Sequence, residues 1–229
     1  MKKTWTLIIT GIIIFVLMIF SLNENLQDSF MILISLGVFI IIFLSYFYFE
    51  KSDLGTKEIS IIATLSAFAA MSRIVFAAIP NVKPITFIVA LSGYVFGPYE
   101  GFLVGSTSAF LSNIFFGQGP WTPWQMFSWG LIGGIAGLWG RKNTKVSVMK
   151  FSIACFLFGF MFDWIMNIWN IIGFVKPITV DSILLTYLTS LTFDIMHGAS
   201  SFIFSIIFYE SFLRVLQRFK HKLQITYIK

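Results

Sequence analysis

Apolar stretches long enough to cross a bilayer follow one another along almost the whole chain, which leaves few folds open to it. A hydrocarbon core about 30 Å thick takes about 20 helical residues to span. Lipid offers no partner to an exposed backbone group, so each crossing must satisfy its own hydrogen bonds. Helices are expected at about 6–22, 30–49, 57–79, 84–96, 100–115, 123–140, 149–174 and 183–213. Of the 229 residues, 57% are apolar and 11% charged, where an average soluble domain carries about 25% charge. The expected fold is all-α and integral to the membrane: a six-helix bundle preceded by an extra N-terminal transmembrane hairpin.

The net charge of +6 invites a nucleic-acid partner, and its distribution argues against one. Eight crossings put both termini on one side. Every basic residue falls on that side except Lys83 and Lys176, in opposite loops, and Arg73, inside a helix. Such a bias marks the basic side as cytoplasmic. The Met1-Lys-Lys start followed by an apolar run resembles a signal peptide. Its apolar core from Leu7 to Leu22 is long for one, and no A-x-A-like site follows, so a retained helix is expected. The single cysteine, Cys155, lies within an apolar run; it permits no intrachain disulfide and argues for no metal site.

Four regions are expected. Residues 1–50 form the hairpin, with its polar residues confined to the outer turn around Asn23–Asp28. Residues 51–58 are a charged cytoplasmic link, 59–215 a membrane domain, and 216–229 a basic cytoplasmic tail. Within the membrane domain Gly93, Gly97, Gly101 and Gly105 recur every four positions, with Pro98 ending one helix and starting the next. Gly101, Gly105, Ala109 and Asn113 share one helical face, and Gly130/Gly134 and Gly133/Gly137 pair likewise on the next helix. Small residues at this spacing let helix backbones approach closely. The helix at 84–96 is short for a span and follows a loop with two prolines, which suggests a bowl open to the outside.

Ionisable groups at membrane depth are costly, so each needs a partner or a role. Arg73 is expected about seven residues below the outer end of its helix, or roughly 10 Å. Asp163 and Asp194 are each expected about eleven residues deep, roughly 16 Å, with His197 one turn beyond Asp194. Two carboxylates at matching depth repel or share a proton unless Arg73 or His197 pairs with one of them. Asp163, Asn167 and Asn170 fall on one face of their helix, and Tyr187, Ser190, Asp194, His197 and Ser201 make a similar stripe on the last. Converging polar stripes describe either an internal cavity or a buried network that sets helix register.

Asn113 to Trp129 is the most distinctive stretch, with two glutamines, two prolines and three tryptophans between apolar helices. Trp121, Trp124 and Trp129 suit a membrane-interface belt. The glycines and prolines of Gly117–Gln125 also suit a set turn, in which Trp faces and the Gln118 and Gln125 amides hold a planar heterocycle. No H-E-x-x-H, G-x-S-x-G, P-loop or D-D-x-x-D pattern occurs, so neither an enzyme, a metal nor a resident cofactor is expected. Any ATP-driven work must come from a partner.

The chain resembles the substrate-binding S component of energy-coupling factor (ECF) vitamin transporters over about residues 57–215. The resemblance is carried by Ala63-Thr-Leu-Ser-Ala67-Phe-Ala-Ala70, the Pro-containing loop 80–84, Leu91-Ser-Gly-Tyr-Val-Phe-Gly-Pro-Tyr-Glu-Gly-Phe-Leu-Val-Gly105, and Phe116-Gly-Gln-Gly-Pro-Trp-Thr-Pro-Trp-Gln125. The last looks like the cobalamin-type branch. The N-terminal hairpin departs from the family's six-helix pattern. The resemblance implies capture of a micronutrient near the outer face. It also implies association with an EcfT-like membrane coupling subunit and two cytoplasmic ATPase subunits, with Ala63 and Ala67 as the contact stripe. The substrate positions it implies are Asn81, Lys83, Thr86, Gln118, Trp121, Trp124, Gln125, Asn167, Asn170 and Tyr187, beside a polar network of Arg73, Asp163, Asp194 and His197. Cobalamin or a related corrinoid is the first expectation for cargo, with riboflavin-like, pyrimidine-like or deazapurine ligands open. Two other classes compete: a proton- or ion-coupled carrier, and an intramembrane enzyme using Asp163, Asp194 and His197.

Overall fold

A computed structural model describes residues 27–50, 55–143 and 145–227. The expected helix at about 6–22 lies outside them. Seven α-helices are seen among the described residues: α1 (Gln27–Glu50), α2 (Thr56–Val75), α3 (Ile85–Phe96), α4 (Pro98–Phe116), α5 (Thr122–Lys142), α6 (Val148–Phe174) and α7 (Val180–Tyr227). Four of them contain spans long and apolar enough to cross a membrane: Ile32–Glu50, Thr56–Val75, Val148–Phe174 and Val180–Lys222. Their outward residues include Phe43, Leu157, Leu188 and Ile207, all exposed. An apolar exterior of that extent belongs in lipid rather than water.

Two helix ends depart from expectation. α2 stops at Val75 instead of reaching 79. Pro80 lacks an N–H and disfavours helical geometry in Ile79 before it. The chain tightens instead into turns in which the Ala77 N–H donates to the Ile74 carbonyl (3.0 Å) and the Ile79 N–H to the Phe76 carbonyl (3.0 Å). Arg73 therefore sits in the last turn of α2 rather than two turns deep. α7 instead overruns its expected end at 213 and stays helical to Tyr227, a run of 48 residues. No proline interrupts it. Leu216 is buried, and the Lys220 ammonium donates to the Val95 carbonyl, so the basic segment packs back on the bundle.

α3 is the hub. Ile85 through Val95 are all buried, as an all-round apolar helix requires. It is held between α2, α4, α5, α6 and α7. The closest approach is made by three glycines: a methyl on Gly133 of α5 would overlap the Gly101 carbonyl of α4, and one on Gly93 of α3 would overlap the Gly133 carbonyl. Between α3 and α4, Gly97 turns the chain at φ 132°, a value that favours glycine, and Pro98 opens α4 at its first turn. α6 and α7 cross at a second glycine pair, where a Cβ on Gly159 would lie 2.8 Å from the Gly198 Cα. Ser152 and Ser205 hydrogen-bond nearby (2.9 Å).

α1 is not a loose anchor. Ile34, Val38 and Ile42 are buried against Trp124 of α5. The Tyr46 hydroxyl pairs with that of Thr107 (2.7 Å), and the Tyr99 hydroxyl donates to the Ser45 carbonyl (3.1 Å). On α2, Ala63 and Ala67 are exposed.

The glycine contacts make a test with its own control. Gly133→Ala is expected to lower stability in detergent by about 2 kcal/mol or more, because backbone rather than a flexible side chain must move. Gly173→Ala, with open space around it, is expected to be neutral or to stabilise by up to about 1 kcal/mol. Thermal melting of the two variants beside wild type reads the difference.

Candidate functional site

The α2–α3 connection, the α4–α5 loop and the facing ends of α6 and α7 meet at one end of the bundle. Asn81 turns the connection in the left-handed region, at φ 53°, and asparagine is among the few residues that adopt it readily. Its side-chain amide donates to the Phe193 carbonyl of α7 (3.0 Å), and the Lys83 backbone N–H donates to the Ser200 hydroxyl (3.2 Å). Lys83 is thereby carried over the bundle interior. Its ammonium donates to Asp163 Oδ1 of α6 (3.2 Å) and lies 4.8 Å from the Phe162 ring centroid. Removal from water holds the Lys83 ammonium below its usual pKa; Asp163 opposes the effect and Arg73 adds to it.

Asp163 has a second partner. Its Oδ2 lies 2.8 Å from His197 Nδ1, His197 Nε2 lies 2.7 Å from the Thr86 hydroxyl, and the Trp129 indole N–H donates to that same hydroxyl (3.0 Å). The proton positions follow from donor chemistry. An indole N–H only donates and a carboxylate only accepts, so the Thr86 oxygen accepts from Trp129 and His197 Nδ1 donates to Asp163. In the neutral ring Nε2 is then the acceptor nitrogen and takes the Thr86 hydroxyl proton. His197 and Trp129 are fully buried, as is Thr86, and the Trp129 ring stacks on Phe162 at 4.0 Å.

Of the two expected pairings for the carboxylates, His197 supplies one and Arg73 supplies neither. Arg73 turns instead toward α4. Its Nη1 donates to the Ser112 hydroxyl (2.6 Å) and to Asn113 Oδ1 (2.8 Å). Its Cζ lies 4.5 Å from the Phe116 ring centroid and 5.1 Å from that of Trp129. The Asn113 amide donates onward to Gln125 Oε1 (2.8 Å) and to the Thr122 hydroxyl (3.1 Å). Thr122 donates to Gln118 Oε1 (3.0 Å) and accepts from the Gly119 N–H (3.1 Å). Gln118 donates to the Phe110 carbonyl (2.9 Å). Residues first read as two sets, Lys83, Thr86, Gln118 and Gln125 in one and Arg73, Asp163 and His197 in the other, are one contiguous array of contacts with Trp129 at its middle.

The outer stripe of α6 and α7 stands beside it. Asn167 donates to the Ser190 hydroxyl (2.7 Å), Ser190 reaches Asp194 Oδ2 (3.3 Å), and the Tyr187 hydroxyl donates to the Trp164 carbonyl (3.3 Å). Asn170 is exposed. Asp194 is buried, and its Oδ1 has no hydrogen-bond partner among the described residues. The tryptophans divide. Trp121 is half-buried and edge-on to Trp169 at 6.3 Å, whereas Trp124 and Trp129 are buried in the bundle, so neither of those two anchors at a membrane surface. Ser112, Phe116 and Ser200 were not singled out from sequence, because a serine or phenylalanine in an apolar helix carries no pattern of its own.

These features describe a polytopic helical membrane protein with a polar array built into one end of its bundle. A family model, "ECF-type riboflavin transporter, S component", matches residues 53–213. The chain belongs to this family, the S components of ECF transporters, whose role is substrate binding in membrane transport. It is also 28% identical over 138 residues to a UPF0397 protein of Aliivibrio salmonicida, covering 58% of this chain and 73% of that protein. A UPF0397 protein of Clostridium perfringens is 33% identical over 128 residues (53% and 65% of the two chains). One of Aliivibrio fischeri is 32% identical over 91 residues (38% and 49%), so the match spans about half of that relative. No solved structure matches the chain.

Asp163 gives a stability test. Asp163→Leu strands both the Lys83 ammonium and the His197 N–H, and is expected to cost about 3 kcal/mol or more. Adding Lys83→Met removes the stranded charge and leaves one unpaired N–H, worth about 1–3 kcal/mol. The double variant should therefore melt above the single one.

Proposed function

We propose that this chain is the substrate-capture subunit of an ATP-driven importer of a vitamin-like molecule in a bacterial plasma membrane. Both termini are cytoplasmic, and the polar end of the bundle faces outward. An EcfT-like coupling subunit and two cytoplasmic ATPases complete the transporter, with Ala63 and Ala67 of α2 as the docking stripe. Family membership supports the class. The observation that carries the reading is the array running from Lys83 through Asp163, His197, Thr86 and Trp129 to Arg73, set beside an aromatic, amide-rich loop. A core that needed only stability would be better served by apolar packing, since a buried ion pair seldom repays its desolvation.

Asn81, Lys83, Gln118, Trp121, Gln125, Asn167, Asn170 and Tyr187 contribute the rim of the site. Thr86 and Trp124 act from behind it, the first through His197 and Trp129, the second by seating α5 on α1. A corrinoid of the cobalamin type is the first cargo to test, on the resemblance of loop 116–125. Riboflavin, named in the family description, is the second.

Thermal melting and Trp fluorescence of the detergent-purified chain across cobalamin, cobinamide, riboflavin and other vitamins is the test. Nanomolar binding corresponds to about −12 kcal/mol and is expected to raise the melting temperature by several degrees through mass action. Trp121→Ala and Asn170→Ala should each abolish most of that rise without lowering the melting temperature of the free protein by a comparable amount. Uptake driven by an ion gradient in vesicles holding this chain alone would instead establish a secondary carrier.

A further inference from the structure

Beside the exposed Lys176 of the α6–α7 connection, the half-buried cations Lys83 and Arg73 stand at the polar end of the bundle, and they are treated differently. Lys83 is answered by Asp163 at 3.2 Å. Arg73 has no carboxylate within ion-pair distance among the described residues; its two side-chain hydrogen bonds go to the neutral Ser112 and Asn113. Both of those bonds use Nη1. The guanidinium has five N–H groups, and the three on Nε and Nη2 meet no acceptor among the described residues.

Those three include the pair that matters. The Nε–H and one Nη2–H leave the planar group in parallel, at the spacing of the two oxygens of a carboxylate or phosphate. The opposite edge is fixed by Ser112 and Asn113, and the Phe116 and Trp129 rings flank the group at 4.5 and 5.1 Å. A guanidinium so held has little conformational freedom left to lose on binding. Asn113 is itself locked by Gln125 and Thr122, so the aromatic loop and the Arg73 fork form one rigid unit. A cation in the last turn of α2 that is held only by neutral groups, with no carboxylate in ion-pair distance among the described residues, marks a functional position.

We propose that Arg73 is the specificity-determining residue of the capture site and that it receives an oxyanion, a carboxylate or phosphate, carried by the cargo. The assignment rests on the capture reading above and narrows it to cargo bearing an acidic group. The same chemistry is offered by a lipid phosphate, and connection to the loop through Asn113 favours the cargo.

The test uses matched probes differing in an acidic group: riboflavin 5′-phosphate with riboflavin, nicotinate with nicotinamide, biotin with biotinamide, and cobalamin, which carries a phosphodiester, with cobinamide. Affinities are measured by Trp fluorescence and melting in a neutral detergent. Wild type is expected to bind the acidic member of one pair at least about tenfold more tightly, the size of one charged hydrogen-bond contribution. Arg73→Gln, which keeps a donor for Asn113, should bind both members of that pair equally at an unchanged melting temperature. Arg73→Lys should retain part of the preference, as a point charge without the fork. Equal binding of both members by wild type, or a preference that survives in Arg73→Gln, overturns the assignment and leaves the capture subunit standing. A melting rise given by phosphatidylglycerol alone, and lost in Arg73→Gln, assigns the fork to lipid and also overturns it. Failure of every probe to bind folded wild type overturns both readings.

Discussion

A carboxylate inside a bundle surrounded by lipid is tolerable only when its oxygens are met by donors, and Asp163 is met on both sides. Lys83 takes one oxygen and His197 the other. Each contact ties down a different part of the chain. Lys83 fixes the α2–α3 connection over the bundle, and His197 fixes the rotation of α7 against α6. Through Thr86 and Trp129 the same constraint reaches α3 and α5. The bond directions are set from both ends, because the indole can only donate to Thr86 and the carboxylate can only accept from His197. Arg73, in the last turn of α2, lies against the same Trp129 ring.

That polar chain is short enough to close only because the helices beneath it are unusually near one another. Gly93, Gly101 and Gly133 bring α3, α4 and α5 into backbone contact. In lipid, where apolar side chains gain nothing by leaving their surroundings, such contact is a main source of helix association. Trp129 lies four residues before Gly133 on α5, one turn along the same face, so the tight seam and the indole that faces Thr86 are set by one helix rotation. Stability and site geometry therefore share their determinants here.

Much of this was legible in the residues. The glycine spacing announced the close helix faces, Pro98 announced the turn, and the polar spacing on α6 and α7 announced that Asp163 and His197 share an interface. What could not be read was the third dimension of each pairing. Arg73, Lys83 and His197 are all suitable partners for a carboxylate, and only the path of the loop after Pro80 decides that Lys83 arrives first. Trp121, Trp124 and Trp129 lie within nine positions and look alike as letters. Their fates differ because helical rotation turns one to the rim, one against α1 and one into the middle. The end of α7 was missed for another reason: charged residues resemble a tail, yet nothing in their chemistry stops a helix.

The Gly159–Gly198 crossing has a mechanical meaning. Because neither residue has a side chain, α6 and α7 touch there backbone to backbone, beside His197 and one turn from Asp163. Gly198 divides α7 unequally, with 18 residues toward the polar end and 29 toward the basic end, or arms of about 27 and 44 Å. A rigid tilt that moved the short arm by about 1 Å at its tip would move the long arm's tip by about 1.6 Å and Lys220, which rests on α3, by about 1.2 Å. A rigid tilt of α7 in the polar array would therefore be felt at the opposite face of the bundle.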